Sequence, residues 1–312
     1  MAIDQLLFAI FIDEFGRLRS GWRFAVFLCS FILTAAILGM AAMSILYALP
    51  IGFAPGSAAF LVVNGLVSLV PALLLGWLCG KYFEGLPFRA LGAWFTEGWM
   101  KNWVLGIVIG AATLGIAVLV AMVLGGLSFE FNANAGASAI FSTLAVSFLV
   151  FTVAAAFEEA LFRGYMLQTF TRAGFAWLAI ALTSVFFGFV HLNNPDAGVI
   201  STLNTIFAGV WFGIAYLKTR DLWFVLGLHL MWNWMQGAFF GIEVSGLKNI
   251  VAAPLLKEID RGPVWLTGEN YGIEGGIACT FAILISIAVI YFIPFLKPSD
   301  EMLALTSRHQ KR

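Results

Sequence analysis

Charge is scarce in this chain of 312 residues: Asp, Glu, Lys and Arg make up 11% of it, and the formal net charge is zero. A chain without a basic excess gives no indication of a nucleic-acid partner. Cysteine is scarce too, since only Cys29, Cys79 and Cys279 occur, each within an apolar stretch. Three scattered thiols provide neither a disulfide framework nor a metal-ligand spacing, and we expect them to be small buried side chains.

Hydrophobic residues make up 61% of the chain, against about 45–50% in soluble domains, and the mean hydropathy is +0.95. Apolar runs of about 20 residues, enough to cross a hydrocarbon core of about 30 Å, recur along the whole sequence. The sequence therefore predicts an all-α polytopic membrane bundle of about eight transmembrane helices. The predicted spans are about 22–48, 57–82, 103–125, 138–171, 175–192, 197–218, 221–241 and 275–297.

The stretch before the first span, LLFAIFIDEFGRLRSGW, is too short and too charged to cross a membrane. Its composition is typical of an amphipathic helix that lies at the membrane interface. The opening has no basic segment ahead of an apolar core, so no signal peptide is predicted.

Lysine and arginine are unevenly distributed over the predicted loops. Most of them fall on one side, whereas the opposite side holds only Lys248, Lys257 and Arg261 in one loop of about 243–274. The positive-inside rule then predicts that both termini are cytoplasmic. We expect the protein to lie in the cell (inner) membrane. The outer loop ends in the turn-rich stretch TGENYGIEGG. A lid is one interpretation of this loop, but we expect an ordinary external loop.

Three polar clusters interrupt the apolar spans. They are Glu158-Glu159 with Arg163, His191, and His229 with Asn233. An ionisable residue at the bilayer centre costs about 2.5–3.5 kcal/mol on insertion scales, so such residues mark functional sites by default. Carboxylates, imidazoles and a guanidinium are also the groups that polarise water. The clusters therefore predict an active site within the membrane.

The spacing of the first cluster gives its two carboxylates different roles. Residues four apart share a helix face, so Glu159 can pair with Arg163. Glu158 points about 100° away, where it can face a water and act as a general base. The alternative is that all three residues form one buried ion network that only locks helix packing.

The other clusters have structural alternatives of their own. His191 could be a helix-terminal histidine bonded to Asn193 or Asn194, and His229 with Asn233 could make an interhelical hydrogen bond. Asn204 and Thr205 in the sixth span could line the cavity, but we expect packing hydrogen bonds.

Helix rise allows the depths of the clusters to be compared. Glu158 and His191 lie sixteen and seventeen residues from the turn near Gly174, so both are about 25 Å along their helices from it. His229 and Asn233 are about 12–18 Å from the inner start of their span, somewhat nearer the cytoplasm. A shared cavity follows if these helices meet at one depth.

Read in order, the clusters have the pattern EExxxR, FxxxH and HxxxN, with Phe187 opening the second motif. This pattern resembles that of the CAAX protease and bacteriocin-processing (CPBP, or Abi) family of intramembrane proteases, over about residues 140–242. The resemblance implies that Glu158 activates the attacking water with His191 as its partner. It implies further that His229 and Asn233 stabilise the oxyanion, and that Glu159 and Arg163 shape the site. The chain is accordingly divided into residues 1–135 with the interfacial helix and first three spans, 136–242 as the protease core, and 243–312 with the outer loop, last span and basic cytoplasmic tail.

The sequence does not decide whether the site uses a metal ion. Glu158, His191 and His229 could supply three ligands to a catalytic zinc with an open fourth position, and the family is commonly called a metalloprotease. A Glu–His pair could equally activate water without metal, and the sequence has no HExxH motif.

The leading functional hypothesis is an endopeptidase that cleaves a lipidated, precursor or membrane-embedded substrate. The alternative from another class is a non-catalytic immunity or scaffold protein that binds a peptide or membrane partner in the same cavity. A transporter with a Glu/His proton relay would carry inverted repeats, which the sequence does not have.

Overall fold

Five helices in the described part of the chain are long and apolar enough to cross a membrane. The computed structural model describes residues 10–48, 56–247 and 250–307. In chain order its helices are α1 (Ser20–Ala48), α2 (Ala58–Glu84), α3 (Trp99–Val123), α4 (Ala137–Arg172), α5 (Ala176–Val190), α6 (Val199–Thr219), α7 (Leu222–Trp234), α8 (Val264–Thr267), α9 (Ile277–Phe292) and α10 (Asp300–Ser307). The all-α bundle predicted from the sequence is thereby confirmed.

The five long helices, α1 to α4 and α6, match five predicted spans to within a few residues. The other three predicted spans contain shorter helices. α5 and α9 have 15 and 16 residues, and α7 has 13 before it continues as a π-helix over Met235–Phe239. α9 ends early because Ile293, which precedes a proline, has an extended backbone.

The predicted interfacial helix is only partly within the described residues. Ile10 and Phe11 are helical, but an antiparallel bridge joins Ile12 to Leu18 and closes a turn. Gly16 adopts a positive φ of 74° in this turn, and the Asp13 carboxylate accepts hydrogen bonds from the backbone of Phe15 and Arg17. The helix prediction is therefore wrong for residues 12–19.

Helices α3 and α7 pack in close contact through glycine. A Cβ atom placed on Gly106 would lie 2.1 Å from the Phe224 carbonyl oxygen, and one on Gly110 would lie 2.4 Å from that of Leu228. Gly227 makes the reciprocal approach, with 2.4 Å to the Trp103 carbonyl oxygen. Small residues four apart let two membrane helices approach to backbone contact. This packing fixes α7, which carries two of the predicted site residues.

The loops gather at two ends of the bundle. At one, which we call the α10 end, Glu301 pairs with Arg89 at 3.0 Å, and Arg220 hydrogen-bonds to Thr306. At the other, which we call the hairpin end, strand β1 (Leu127–Phe131) pairs with β2 (Leu256–Asp260) in an antiparallel ribbon. The loops that were predicted to be cytoplasmic meet at the α10 end, and the predicted outer loop lies at the hairpin end.

A buried ion network joins three helices at the α10 end. Glu84 of α2 accepts from Arg23 of α1 at 2.6 Å and from Arg172 of α4 at 2.8 Å. Gln168 accepts from Arg172 at 2.9 Å and donates to the Leu91 carbonyl at 3.0 Å. The network ties the ends of α1, α2 and α4 together.

The cysteine prediction is confirmed for Cys79 and Cys279, which are buried, and is wrong for Cys29, which is exposed. The buried residues of α1 are Ser20, Arg23, Phe27 and Phe31. Cys29 lies off that face, where a thiol is compatible with lipid.

Candidate active site

The three predicted clusters meet at one cavity. Its volume is about 580 Å³, and it is lined by Glu158 from α4, His191 at the end of α5, and His229 and Asn233 from α7. Glu159 and Arg163 lie behind this wall. The structure thus brings together residues up to 75 positions apart in sequence, although the depth comparison placed His229 and Asn233 nearer the cytoplasm than Glu158.

Behind the wall, Glu159 connects two basic groups. Its Oε1 lies 3.2 Å from Arg163 Nη1 and 2.7 Å from His229 Nδ1. The predicted Glu159–Arg163 pair is therefore present, and it is buried, with side-chain exposures of 1% and 0%. Arg163 Nη2 also donates to the Gly209 carbonyl of α6 at 3.2 Å.

Glu158 differs from its neighbour in exposure. Its side chain is 25% exposed and lines the cavity, whereas that of Glu159 is buried. It is not an isolated charge, because its Oε2 lies 3.7 Å from His229 Nε2. With His229 as an imidazolium, two carboxylates face two cations, and the buried group is neutral overall.

Aromatic rings enclose the basic groups. The Arg163 guanidinium lies 4.7 Å from the Phe187 ring centre and 4.9 Å from that of Phe212, and Phe212 stacks on His229 at 4.6 Å. Ring faces attract cations, and more strongly when water is excluded. The rings therefore hold Arg163 and His229 in place without competing for their hydrogen bonds.

The backbone of α4 changes geometry at the site. Residues Ala160–Met166 form a π-helical segment in which Gly164 has ψ of −126°, outside the helical range. Such interruptions are common at functional sites. The segment also explains why straight-helix arithmetic placed His229 at a different depth from Glu158, since it counted through this kink as regular α-helix.

His191 is held by its own helix. It caps the end of α5, and its Nδ1 lies 2.7 Å from the Phe187 carbonyl oxygen. A carbonyl only accepts, so Nδ1 carries the proton and Nε2 of the neutral ring is free to accept. Of the alternative partners, Asn194 donates its backbone N–H to the His191 carbonyl at 3.1 Å, but its side-chain amide donates to the Ser245 carbonyl and not to the imidazole. Within the described residues no ion pair or hydrogen bond joins His191 to Glu158.

Residues 140–235 match the family model described as type II CAAX prenyl endopeptidase Rce1-like. The match contains all six predicted site residues and confirms the family resemblance. The chain carries an Rce1-like domain. That domain is a protease domain, and together with the long apolar helices it makes the chain an integral membrane protein. A comparison with curated proteins found no match.

Two polar residues of α6 within the Rce1-like domain make packing contacts, as expected. Asn204 donates to the carbonyls of Glu274 and Gly276 at 2.8 and 2.9 Å, and Thr205 donates to the carbonyl of Ser201 at 2.8 Å. Both also line the cavity. Packing and cavity lining are therefore combined in these side chains.

The segment after the Rce1-like domain forms part of the cavity wall, which the sequence analysis did not foresee. Glu274 accepts from Trp232 Nε1 at 2.9 Å, and from the backbone and hydroxyl of Ser245 at 2.6 and 2.8 Å. Both Ser245 and Glu274 line the cavity. The expectation of an ordinary external loop is thus wrong for this part of it. The only signal in the sequence was a carboxylate inside a glycine-rich turn.

The mouth of the cavity is marked by the lining residues that are exposed, which are Asn64 of α2, Val190 of α5 and Leu247. Asn64 and Leu247 both lie outside the Rce1-like domain. Asn64 was overlooked because a single amide within an apolar span matches no motif.

The predicted metal ligands do not converge. Zinc holds nitrogen and oxygen ligands at about 2.0–2.2 Å, so a site needs at least three of them close together. Within residues 10–48, 56–247 and 250–307, no three His, Cys, Asp or Glu side chains form a ligand set. Glu158, His191 and His229 therefore do not fit a metal ion in this arrangement, and we derive no catalytic step through one.

Proposed function

We propose that the protein is an intramembrane endopeptidase that hydrolyses a peptide bond of a lipidated, precursor or membrane-embedded substrate. The observation that carries the proposal is the position of Glu158. Its partly exposed carboxylate lines a cavity of about 580 Å³ and lies 3.7 Å from an imidazole that a second, buried carboxylate orients. A base within a water-accessible cavity and an oriented neighbour are what hydrolysis requires.

The first step is activation of water. Glu158 accepts one proton of a water in the cavity, while the free Nε2 of His191 accepts a hydrogen bond from its other proton. The two acceptors orient the water oxygen toward the substrate carbonyl. General-base catalysis of this kind contributes about 10²–10⁴ in rate.

The second step is stabilisation of the oxyanion. Because His229 Nδ1 donates to Glu159, its Nε2 can donate as well only when the ring is an imidazolium. In that state Nε2 and the Asn233 amide, one helical turn further on, form a pair of donors for the developing oxyanion. Such a donor is worth about 10²–10³ in rate.

The proton then moves to the leaving group. The water oxygen has by then bonded to the carbonyl carbon, which gives the tetrahedral oxyanion. As the oxyanion collapses back to a carbonyl, the bond between carbon and nitrogen breaks, and Glu158 passes its proton to the leaving amine. Glu159 and Arg163 touch no reacting atom in this scheme. They are positioning residues that hold His229 in its donor state.

The cavity is largely apolar and lies within a membrane bundle. The partners of the protein are therefore a peptide or lipidated protein substrate and the lipid bilayer, with no nucleic acid. We further propose that the protein lies in the cell (inner) membrane with both termini, and hence the α10 end, in the cytoplasm. The concentration of Lys and Arg in the loops of that end supports this orientation.

A metal-dependent reaction stays a separate prediction with its own test. Zinc, if used, would act on the carbonyl as a Lewis acid or lower the pKa of a bound water. Incubation of the purified protein with a strong chelator, followed by metal add-back, decides the question. Activity that survives the chelator contradicts metal dependence.

The proposal is tested with detergent-purified protein and a panel of fluorogenic lipidated peptides. Wild type is compared with Glu158→Gln and with the matched control Glu130→Gln, which makes the same change at an exposed position on β1. We expect cleavage by wild type and by Glu130→Gln, and none by Glu158→Gln. Equal cleavage by all three would contradict the role of Glu158. Saturable peptide binding by wild type without cleavage would favour the non-catalytic alternative.

A further inference from the structure

One polar side chain at the cavity mouth has no role in the scheme above. Asn64 is the only amide or charged residue between Ala58 and Gly80 of α2. It is exposed and lines the same cavity as Glu158. Its side-chain amide makes no hydrogen bond within the described residues, whereas Ser68, one turn along, donates to the Asn64 carbonyl at 3.1 Å.

The packing of α2 on α4 places Asn64 relative to the base. A Cβ atom on the neighbouring Gly65 would lie 2.7 Å from Val153 Cγ1, so the two helices are in contact at this level. Val153 precedes Glu158 by five residues, or about 7.5 Å along α4 at 1.5 Å per residue. Asn64, one residue before Gly65, therefore stands about 7.5–9 Å from the level of Glu158, toward the hairpin end.

The chemistry of the side chain indicates its ligand. A primary amide offers one acceptor and two donors, which complement the N–H and C=O of a peptide backbone, and it carries no charge for an anionic group. An extended peptide advances about 3.3 Å per residue. The distance from Asn64 to the level of the base thus corresponds to about two residues of substrate.

We propose that Asn64 binds the backbone of the substrate about two residues from the bond that is cleaved. The inference rests on the proposed function and extends it, because the contact comes from α2, outside the Rce1-like domain. It predicts an extended substrate segment that enters the cavity past α2.

The first test is kinetic and uses the panel peptide that wild type cleaves fastest. Asn64→Leu is expected to raise KM about three- to tenfold, the range of one net hydrogen bond, with kcat within twofold of wild type. The matched control is Ser68→Leu, which makes the same apolar change one turn away and leaves KM unchanged. Equal KM values for wild type and Asn64→Leu would overturn the inference and leave the protease intact.

A modified substrate locates the contact. Two peptides are made, each N-methylated at the backbone amide two residues from the scissile bond, one on either side of it. One of the two should raise KM for wild type by the same factor. That peptide should then be indifferent to Asn64→Leu, because both changes remove one interaction. The assignment would be overturned if, at every methylated position, the methylation and Asn64→Leu raised KM by independent factors that multiply.

A binding measurement separates failure of the inference from failure of the proposed function. Photoreactive, uncleavable analogues of the panel peptides are titrated against Glu158→Gln protein with and without Asn64→Leu or Ser68→Leu. Weaker saturable labelling with Asn64→Leu alone supports the contact even if wild type cleaves no panel peptide. Labelling that is absent, or equal in all three proteins, overturns it.

Discussion

Two buried networks in this protein pair glutamate with arginine, and they differ in whether a carboxylate of the network is accessible from a cavity. At the α10 end, Glu84 is 3% exposed and is held by two guanidiniums, those of Arg23 and Arg172. Each of its oxygens has a cationic partner within 3.0 Å. We call this network closed, because its carboxylate is buried and both of its oxygens are paired.

The network at the cavity is open by comparison. Glu159 and Arg163 are as buried as Glu84, but they continue through His229 to Glu158, which is 25% exposed. The chain of contacts therefore ends at a carboxylate that faces the cavity. A buried ion pair alone is weak support for function, and a network with one accessible end is stronger support. The same isosteric substitution in the two networks should separate them.

The largest effect is expected for Glu158→Gln. Removal of the base should lower kcat by about 10²–10⁴. The unfolding midpoint should fall only slightly, because Glu158 is 25% exposed and its contact with His229 is long, at 3.7 Å. Cleavage rate and thermal unfolding in detergent measure both quantities. A variant that unfolds more easily but cleaves at the wild-type rate would show that Glu158 belongs to a buried ion network that only locks helix packing.

The same change at the closed network, Glu84→Gln, should have the opposite outcome. It leaves two buried guanidiniums without an anion, and breaking a buried pair costs about 3–5 kcal/mol of the free energy of unfolding. The folded protein should still cleave with wild-type kcat. Loss of activity at unchanged stability would show that the two networks are not distinct in function.

Asn233→Ala tests a second residue of the cavity, the proposed oxyanion donor next to the open network. Removal of a proposed oxyanion donor should lower kcat by about 10²–10³ and leave KM nearly unchanged. Its control is Gln168→Ala, which removes an amide from the closed network and should affect only stability. Equal effects of the two substitutions on kcat would argue against Asn233 as a donor to the transition state.

Spacing within one helix was enough to predict the Glu159–Arg163 pair, the direction of Glu158 and the helical class of the fold. These depend on the local geometry of about 3.6 residues per turn. The contact between His229 and Glu158 was beyond such reasoning, because it depends on the kink at Gly164 and on the glycine packing of α3 against α7.

Residues outside the motif region were harder still. Glu274 reaches the cavity only because the segment before α9 folds back onto Trp232 and Ser245. Asn64 is placed by one close contact between Gly65 and Val153. Both placements are set by tertiary packing, which leaves no periodic signal in the sequence.

The smallest effect concerns Asp221, a third buried carboxylate, which precedes α7 at the α10 end. Unlike Glu84, it has no ion-pair partner within the described residues, only the Asn102 amide and the Trp223 backbone N–H. Burial raises its pKa from 3.8 to about 6, and the two hydrogen bonds oppose that rise. The folded state therefore binds the proton more tightly than the unfolded chain, so stability should fall as pH rises from about 4 to about 6.

Replacement of this carboxyl by an amide isolates its contribution. Asp221→Asn should lose less stability than wild type across that pH range, by at most about 2–3 kcal/mol. Unfolding midpoints at pH 4, 5, 6 and 7 make the comparison. Parallel curves for wild type and Asp221→Asn would contradict the raised pKa of Asp221. They would mean that two hydrogen bonds are enough to keep this buried carboxyl ionised in the folded protein.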